Sequence, residues 1–178
     1  MWVIVIILIV VAVYAVKIFN KLKGYTEDIE QQKSTIDVAL NTRYDTIMQM
    51  QQAVKGYMGH EADTLIKISG LRSGMSVEEM VESENKMGKA VSQIYAVAEN
   101  HPQLRASENF IILQKTISSC EDNLQAARRA YNSVVADYNK SIGMFPDMII
   151  ANIMKFERAT FFEVSENKKD IINLDFSM

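Results

Sequence analysis

The sequence predicts an all-α protein, in which one N-terminal transmembrane helix is followed by an elongated, antiparallel four-helix bundle with a short fourth helix. Three observations lead to this prediction. The first sixteen residues contain no charged side chain. The two prolines and seven glycines are few for 178 residues, which leaves room for long helices. Between these breaks apolar residues recur at steps of three and four, a pattern typical of helices packed side by side.

The N-terminal segment is expected to be an uncleaved membrane anchor over residues 1–19. Trp2 to Phe19 would span about 27 Å as a helix, close to the apolar thickness of a bilayer. A helix that is apolar on all sides does not suit a soluble core. A cleaved signal peptide is the main alternative, since Val13-Tyr14-Ala15 resembles a cleavage site, but only Met1 precedes the apolar run and signal peptides begin with a basic segment. We therefore expect residues 2–19 to contact the lipid bilayer.

The basic residues near the anchor predict its orientation. Lys17, Lys21 and Lys23 all follow the apolar run, and positive charges favour the cytoplasmic side. The sequence thus predicts a single-pass protein of the cell membrane with its N-terminus outside and its soluble body in the cytoplasm. The single Cys120 is compatible with a reducing compartment.

The remaining chain is long enough for one domain with a core. We expect a helical bundle over residues 20–156 and an extended tail over residues 157–178. The net charge is −3 and no basic patch is visible, so nucleic-acid binding is not expected, because it requires a positively charged surface.

The first soluble helix is predicted from Thr26 to about Ser69, where it can continue the anchor, and a turn follows at Gly70–Gly74. Its stripe has heptad-like spacing, as in a coiled coil, and consists of Ile29, Ile36, Leu40, Ile47, Met50, Val54 and Tyr57, and then of Ile68.

The second helix is predicted to begin at Ser76, because Ser76 and Glu79 form a capping-box pattern. Its stripe comprises Val77, Met80, Met87, Val91, Ile94 and Ala98, with Glu84 as a polar exception. His101-Pro102 is the next predicted break.

The third helix is predicted to begin near Ser107. It has the most regular seam in the chain, formed by Phe110, Leu113, Ile117, Cys120, Leu124, Ala127, Tyr131, Val134 and Tyr138. A short fourth helix is predicted after Pro146, since proline suits a first helical turn, with Met148, Ile149, Ile150 and Ile153 as its apolar residues. The tail from Glu157 is expected to lie along a helix groove or to be partly disordered.

Catalytic motifs are scarce. His60-Glu61 begins like a zinc-binding helix motif, but Thr64 stands where the second histidine would be needed. A solvated helix face is the preferred interpretation of this pair. Cys120 lies on a packing seam, where cysteine acts as a small hydrophobic residue. We expect no enzyme activity, no cofactor and no small-molecule substrate.

A polar network between helices is the one candidate site. Arg43 and Arg128 lie at or beside packing seams, and a buried arginine needs a partner because an unpaired buried charge is costly. Asp37, Glu84 and Glu108 are the candidate partners. The network of Asp37, Arg43, Glu108 and Arg128 is interpreted as fixing helix register; the alternative is a polar groove that recognises a peptide or a partner helix.

Several short segments give the chain a resemblance to the LemA family of bacterial membrane-anchored proteins over nearly its whole length. They are Ile36-Asp37-Val38, Arg43-Tyr44-Asp45, Val54-Lys55-Gly56-Tyr57, His60-Glu61, Ser107-Glu108-Asn109-Phe110, Ala127-Arg128-Arg129, Tyr131-Asn132, Tyr138-Asn139, Phe145-Pro146 and Asp175-Phe176. The resemblance implies an N-terminal membrane helix and an elongated four-helix bundle. It implies no reaction, cofactor or catalytic residue.

These observations predict a membrane-anchored helical scaffold or protein-interaction module, with a protein partner or self-association through the bundle. The alternative is a membrane-anchored sensor bundle that binds a small ligand or peptide and relays the signal to a partner.

Overall fold

The computed structural model describes residues 1–58 and 74–163, and every regular element in these two ranges is a helix. This confirms the all-α prediction. The helices are α1 (Trp2–Met58), α2 (Val77–Asn100), α3 (Pro102–Arg105), α4 (Glu108–Gly143) and α5 (Asp147–Ile153). The predicted end of the first helix with Ile68 and Ser69, the turn as far as Ser73 and the His60-Glu61 pair lie outside the described residues.

Helix α1 runs without a break from residues 2–16, which we call the apolar segment, into the bundle. Its 57 residues correspond to a length of about 85 Å. Ile18 is the first buried residue. From there the buried apolar positions follow the predicted heptad spacing, and they are Leu22, Ile29, Ile36, Leu40, Ile47, Met50 and Val54. The helix therefore has an exposed apolar first part and an amphipathic second part.

Side-chain contacts fix the direction of each long helix. Arg43 pairs with Glu121 in the first half of α4, whereas Lys21, earlier in α1, pairs with Asp147, four residues after the end of α4; α4 therefore runs antiparallel to α1. The rings of Tyr57 and His101 are 6.1 Å apart, which places the ends of α1 and α2 together. Helices α1 and α2 therefore run in the same direction within the bundle, an arrangement that the sequence pattern did not predict.

The predicted helix starts are confirmed, and those of α2 and α4 carry side-chain caps. Ser76 caps α2 and forms both hydrogen bonds of the capping box with Glu79. The Ser107 hydroxyl accepts a hydrogen bond from the Phe110 N–H at the start of α4. Pro146 directly precedes α5. These local patterns succeed because capping depends only on residues within one helical turn.

The predicted seams are largely buried, with differences on α1, α4 and α5. On α1 the predicted stripe residue Tyr57 is 42% exposed. On α4 Val135 is fully buried, whereas the predicted Val134 is half-buried. On α5 the buried residues are Asp147 and Ala151, while the predicted apolar residues Met148, Ile149 and Ile153 are exposed. The exposed residues of α5 thus do not contribute to the core.

The chain after α5 fills a corner of the bundle that α2 leaves open. The start of α2 lies near Lys33, since the positive charge of Lys33 favours the ionised form of the Glu78 carboxylate. Helices α1 and α4 extend beyond this level to the Lys21–Asp147 pair. Phe162 is buried in the core and Phe156 packs against its edge. Helix α5 and residues 156–163 therefore complete the end of the bundle nearest the apolar segment.

Candidate functional site

Two ion pairs connect the three long helices. Arg43 on α1 is only 4% exposed and donates a hydrogen bond to Glu121 on α4. Arg128 on α4 donates to Glu84 on α2, with 2.7 Å between Nη1 and Oε1. Within the described residues α2 and α4 have no two Cα atoms closer than 8 Å. Long side chains are therefore needed to span the space between these two helices.

The four residues form a charge cluster, a name used here for Arg43, Glu84, Glu121 and Arg128. Burial raises the pKa of Glu84 above its usual value, and the positive charges of Arg128 and Arg43 oppose this effect. Oε2 of Glu84 and Nη1 of Arg43 are buried without a hydrogen-bond partner in the described part of the chain. Because two positive and two negative charges balance, the cluster can stay ionised while it links three helices.

The residues predicted for the polar network lie in three different surroundings. Arg43 and Arg128 belong to the charge cluster. Asp37 is half-buried, and its Oδ1 atom has no hydrogen-bond partner among the described residues. Glu108 is not a partner of either arginine. It is exposed in the first turn of α4, and twenty residues of helix separate it from Arg128 by about 30 Å.

Sequence reasoning missed Glu121 as the partner of Arg43. A usable signal was its place directly after Cys120, which lies on the seam of α4. The antiparallel packing brings this part of α4 to Arg43, as the 3.9 Å distance between Thr46 Oγ1 and Cys120 Sγ shows. Without the register between α1 and α4, however, several acidic residues were equally suitable.

A second set of polar residues on α4 holds the chain that follows α5. Asn132 donates to the carbonyl of Phe162 and accepts from its N–H, at 3.0 and 2.8 Å. Asn139 makes the same two hydrogen bonds with Ala159, both at 2.9 Å. Each asparagine amide therefore satisfies both backbone groups of one tail residue. This matters because extended chain against a helix has no other regular source of hydrogen bonds.

Two tyrosines repeat the arrangement beside the asparagines. Tyr138 donates to the carbonyl of Glu157 at 2.7 Å, and Tyr131 donates to that of Thr160 at 2.9 Å. Burial raises the pKa of both phenols, with nearby carboxylates adding to the effect, so they remain protonated donors at neutral pH. We call Tyr131, Asn132, Tyr138 and Asn139 the tail clamp.

The spacing of the tail clamp follows from helix and strand geometry. One heptad of α4 rises about 10.5 Å. Three residues of extended chain cover about 10 Å. The two asparagines are seven residues apart on α4 and bind tail residues that are three residues apart. The two tyrosines have the same spacing on α4 and bind tail residues with the same separation. The sequence signal was available as two Tyr-Asn dipeptides separated by one heptad.

Arg128 connects the tail clamp to the charge cluster. Its guanidinium carbon lies 6.0 Å from the centre of the Phe162 ring, a distance suited to a cation–π contact. Arg128 therefore contacts α2 through Glu84 and the tail through Phe162. A single side chain thus couples the position of the tail to the register of α2.

Of the catalytic candidates, Cys120 lies within the described ranges and the His60-Glu61 pair does not. Cys120 is buried on the α4 seam, as predicted. Among residues 1–58 and 74–163 no three histidine, cysteine, aspartate or glutamate side chains are grouped so that they could hold a metal ion.

The comparison with known families identifies the chain. The model of the LemA family matches residues 32–176. The chain belongs to the LemA family. The matched region contains the charge cluster and the tail clamp, whereas the apolar segment precedes it. The resemblance noted in the sequence is thereby confirmed.

Curated relatives match the chain at low sequence identity. Protein LemA of Metamycoplasma hominis is 26% identical over 152 residues, which are 83% of this chain and 69% of the relative. Magnetosome protein MamQ of Magnetospirillum gryphiswaldense is 23% identical over 111 residues, and magnetosome protein MamQ 2 of Paramagnetospirillum magneticum is 25% identical over 84. These matches cover 60% and 47% of this chain but only 41% and 31% of the MamQ proteins.

Proposed function

We propose that this LemA-family protein is a membrane-anchored helical scaffold that holds its bundle at a fixed height and angle above the bilayer. The continuity of α1 is the observation that carries the proposal. An eighteen-residue window of α1 has a mean hydropathy of 2.9, which is apolar enough to cross a membrane. The same helix then supplies the core residues from Ile18 onward. Because no loop separates the two parts, movement of the anchor is transmitted directly to the bundle.

The proposal assigns residues 1–19 to the anchor, 20–156 to the bundle and 157–178 to the tail. It assigns no reaction to the chain. A protein partner, or a second copy of the chain, would bind the outer faces of the bundle. Crosslinking in the native membrane, followed by identification of the captured proteins, tests this part. Recovery of only uncrosslinked protein over a range of reagent lengths would contradict it.

Alkaline extraction of membranes tests the anchor. We expect the full-length protein to stay in the membrane pellet during carbonate washing. A lysine near the centre of an apolar span costs about 2.5–3.5 kcal/mol, so the double substitution of Leu8 and Ile9 by lysine should release the protein. Val38→Lys is the matched control, because Val38 is an exposed apolar residue of the bundle. Release of the unaltered protein, or a mature N-terminus at Val16, would refute an uncleaved anchor.

The orientation of the anchor follows from the charges beside it. Lys17 and Lys23 are exposed after the apolar segment, and we propose that they keep the bundle in the cytoplasm. A C-terminal alkaline phosphatase fusion should then be inactive, and a fluorescent-protein fusion should be bright. The reverse pattern would place the bundle on the outer side.

A ligand-binding sensor is the second candidate function, and one observation favours it. An open groove of about 480 Å³ lies between α1 and α4, lined mainly by short side chains such as Thr42, Cys120 and Ala126. A compound that raises the unfolding temperature of the full-length protein in a saturable way would support this function. Ala126→Phe, which fills the groove, should abolish that effect.

A further inference from the structure

Helix α5 lies where the apolar segment of α1 ends. Lys21 Nζ on α1 and Asp147 Oδ2 at the start of α5 are 2.7 Å apart. The rings of Phe19 and Phe156 are 6.1 Å apart. Contacts on both sides of α5 therefore fix it at the level of residues 19–21 of α1.

The outer face of this region is apolar and exposed. Phe145 is 77% exposed and Ile153 is 68% exposed. Together with four neighbours they form what we call the juxtamembrane apolar surface, which consists of Met144, Phe145, Met148, Ile149, Ile153 and Met154. Helix α5 has two polar residues: Asp147 faces inward and accepts hydrogen bonds from Lys21 and Ser141, whereas Asn152 is exposed. Apart from Asn152, the exposed side chains of α5 are apolar, and a group of exposed apolar side chains indicates an interaction site.

The length of the apolar segment explains why lipid reaches this level. The exposed, uncharged stretch of α1 covers residues 2–16, or about 22 Å of helix. The hydrocarbon core of a bilayer is about 30 Å thick. The difference of about 8 Å corresponds to roughly five further residues of α1. A bilayer whose hydrocarbon core begins at Trp2 therefore extends to about the level of Lys21, where α5 is packed.

The surface is continuous with the anchor and carries the side chains expected at a membrane interface. Tyr14 of the apolar segment lines the same groove as Phe145, together with Lys140. Lys17 and Lys155 are exposed on either side. Tyrosine and lysine are typical of the boundary between headgroups and acyl chains, because each combines an apolar stem with a polar end.

We propose that the juxtamembrane apolar surface is a second membrane-contact site, which inserts into the headgroup–acyl boundary of the leaflet from which the anchor emerges. It would act as a short interfacial helix beside a transmembrane one. Contact at two points restrains the tilt of the bundle and its rotation about α1. The proposal rests on the membrane-anchored function, since a chain outside the bilayer could not place α5 at this depth.

Depth-dependent fluorescence quenching tests the proposal on the full-length protein. The protein is reconstituted in phosphatidylcholine–phosphatidylglycerol vesicles with lipid brominated near the carbonyl end of its acyl chains. Phe145→Trp and Ile153→Trp are each made with Trp2→Phe. Ile112→Trp in the same background is the matched control, since Ile112 is also an exposed apolar residue, 52% accessible, about 45 Å along α4 from the surface.

We expect brominated lipid to lower the emission of both surface variants at least about twofold, because interfacial helices insert 5–10 Å below the headgroups. The Ile112→Trp variant should be unaffected. Quenching of the surface variants that does not exceed the control would overturn the proposal. So would a blue-shifted but unquenched emission, which would indicate a second copy on the surface. The native Trp2 separates the two proposals: if its emission is also unquenched, the anchor itself is outside the bilayer.

Discussion

Replacing Arg128 by alanine should destabilise the bundle by an amount that depends on pH. Arg128 and Glu84 are 17% and 11% exposed at their side chains and are joined at 2.7 Å. Loss of the guanidinium leaves Glu84 buried without its partner, and removing one member of a buried pair commonly costs about 3–5 kcal/mol. The carboxylate can limit this cost by taking up a proton.

The size of the effect follows from the free energy of that proton uptake. The ordinary pKa of Glu84 is 4.5, so keeping it neutral at pH 7 costs about 3.4 kcal/mol, and at pH 5 only about 0.7 kcal/mol. The lost contact with Phe162 adds about 0.5–1 kcal/mol at either pH. We therefore expect a loss of at most about 4.4 kcal/mol at pH 7 and at most about 1.7 kcal/mol at pH 5.

The direction of the pH dependence is set by the raised pKa of Glu84. Burial raises it above the unfolded value, and removal of Arg128 raises it further. The folded state then binds a proton that the unfolded state has released. This contribution to stability is present below the unfolded pKa and is lost as the pH rises through the folded pKa.

Urea denaturation of the full-length protein in detergent micelles, followed by circular dichroism at both pH values, measures the loss. Arg129→Ala is the control, since Arg129 is exposed on the next position of α4 and should change stability by less than about 0.5 kcal/mol. Combining Arg128→Ala with Glu84→Gln should restore most of the stability at pH 7, because no charge remains unpaired. A loss that is equal at both pH values, or a double variant as unstable as the single one, would refute this reasoning.

Three further predictions concern the tail clamp, the cap of α2 and the buried thiol. Asn132→Ala should speed hydrogen exchange of the Phe162 amide by at least about tenfold, because a local hydrogen bond worth about 1.4 kcal/mol or more is lost. Exchange should be unchanged in the control Asn123→Ala. Equal exchange rates in the two variants would contradict the role of the tail clamp. Ser76→Ala should lower the free energy of unfolding by about 1 kcal/mol through loss of the capping box, as measured by urea titration. Ser92 is exposed in the middle of α2, and the control Ser92→Ala should not show this loss. Cys120 should react with a thiol reagent only as the bundle unfolds, since it is 5% exposed; rapid labelling of the folded protein would contradict the packing of α1 on α4.

Local features of this protein were predictable from the sequence by itself. The apolar segment, the capping box at Ser76, the cap at Ser107 and the helical seams depend on residues at most a few turns apart. The membership in the LemA family could also be recognised from short segments. These predictions succeeded because helix periodicity and capping are decided within a single element.

The partners of the polar residues depended on the relation between elements. Arg43 was recognised as a seam residue, but its pairing with Glu121 rather than Asp37 required the register of α1 against α4. The two Tyr-Asn dipeptides were visible on α4, yet their role became clear only when extended chain was found beside them with matching spacing.

The apolar residues of α5 show the same division most clearly. The sequence by itself determined that Ile149 and Ile153 belong to a short helix after a proline. Only the tertiary structure decided that Asp147 and Ala151 face the core and that the isoleucines face outward beside the end of the apolar segment. The physical reason is that a helix of seven residues has too few turns for its apolar pattern to select a face. The Lys21–Asp147 pair and the packing of Phe156 on Phe19 select it instead.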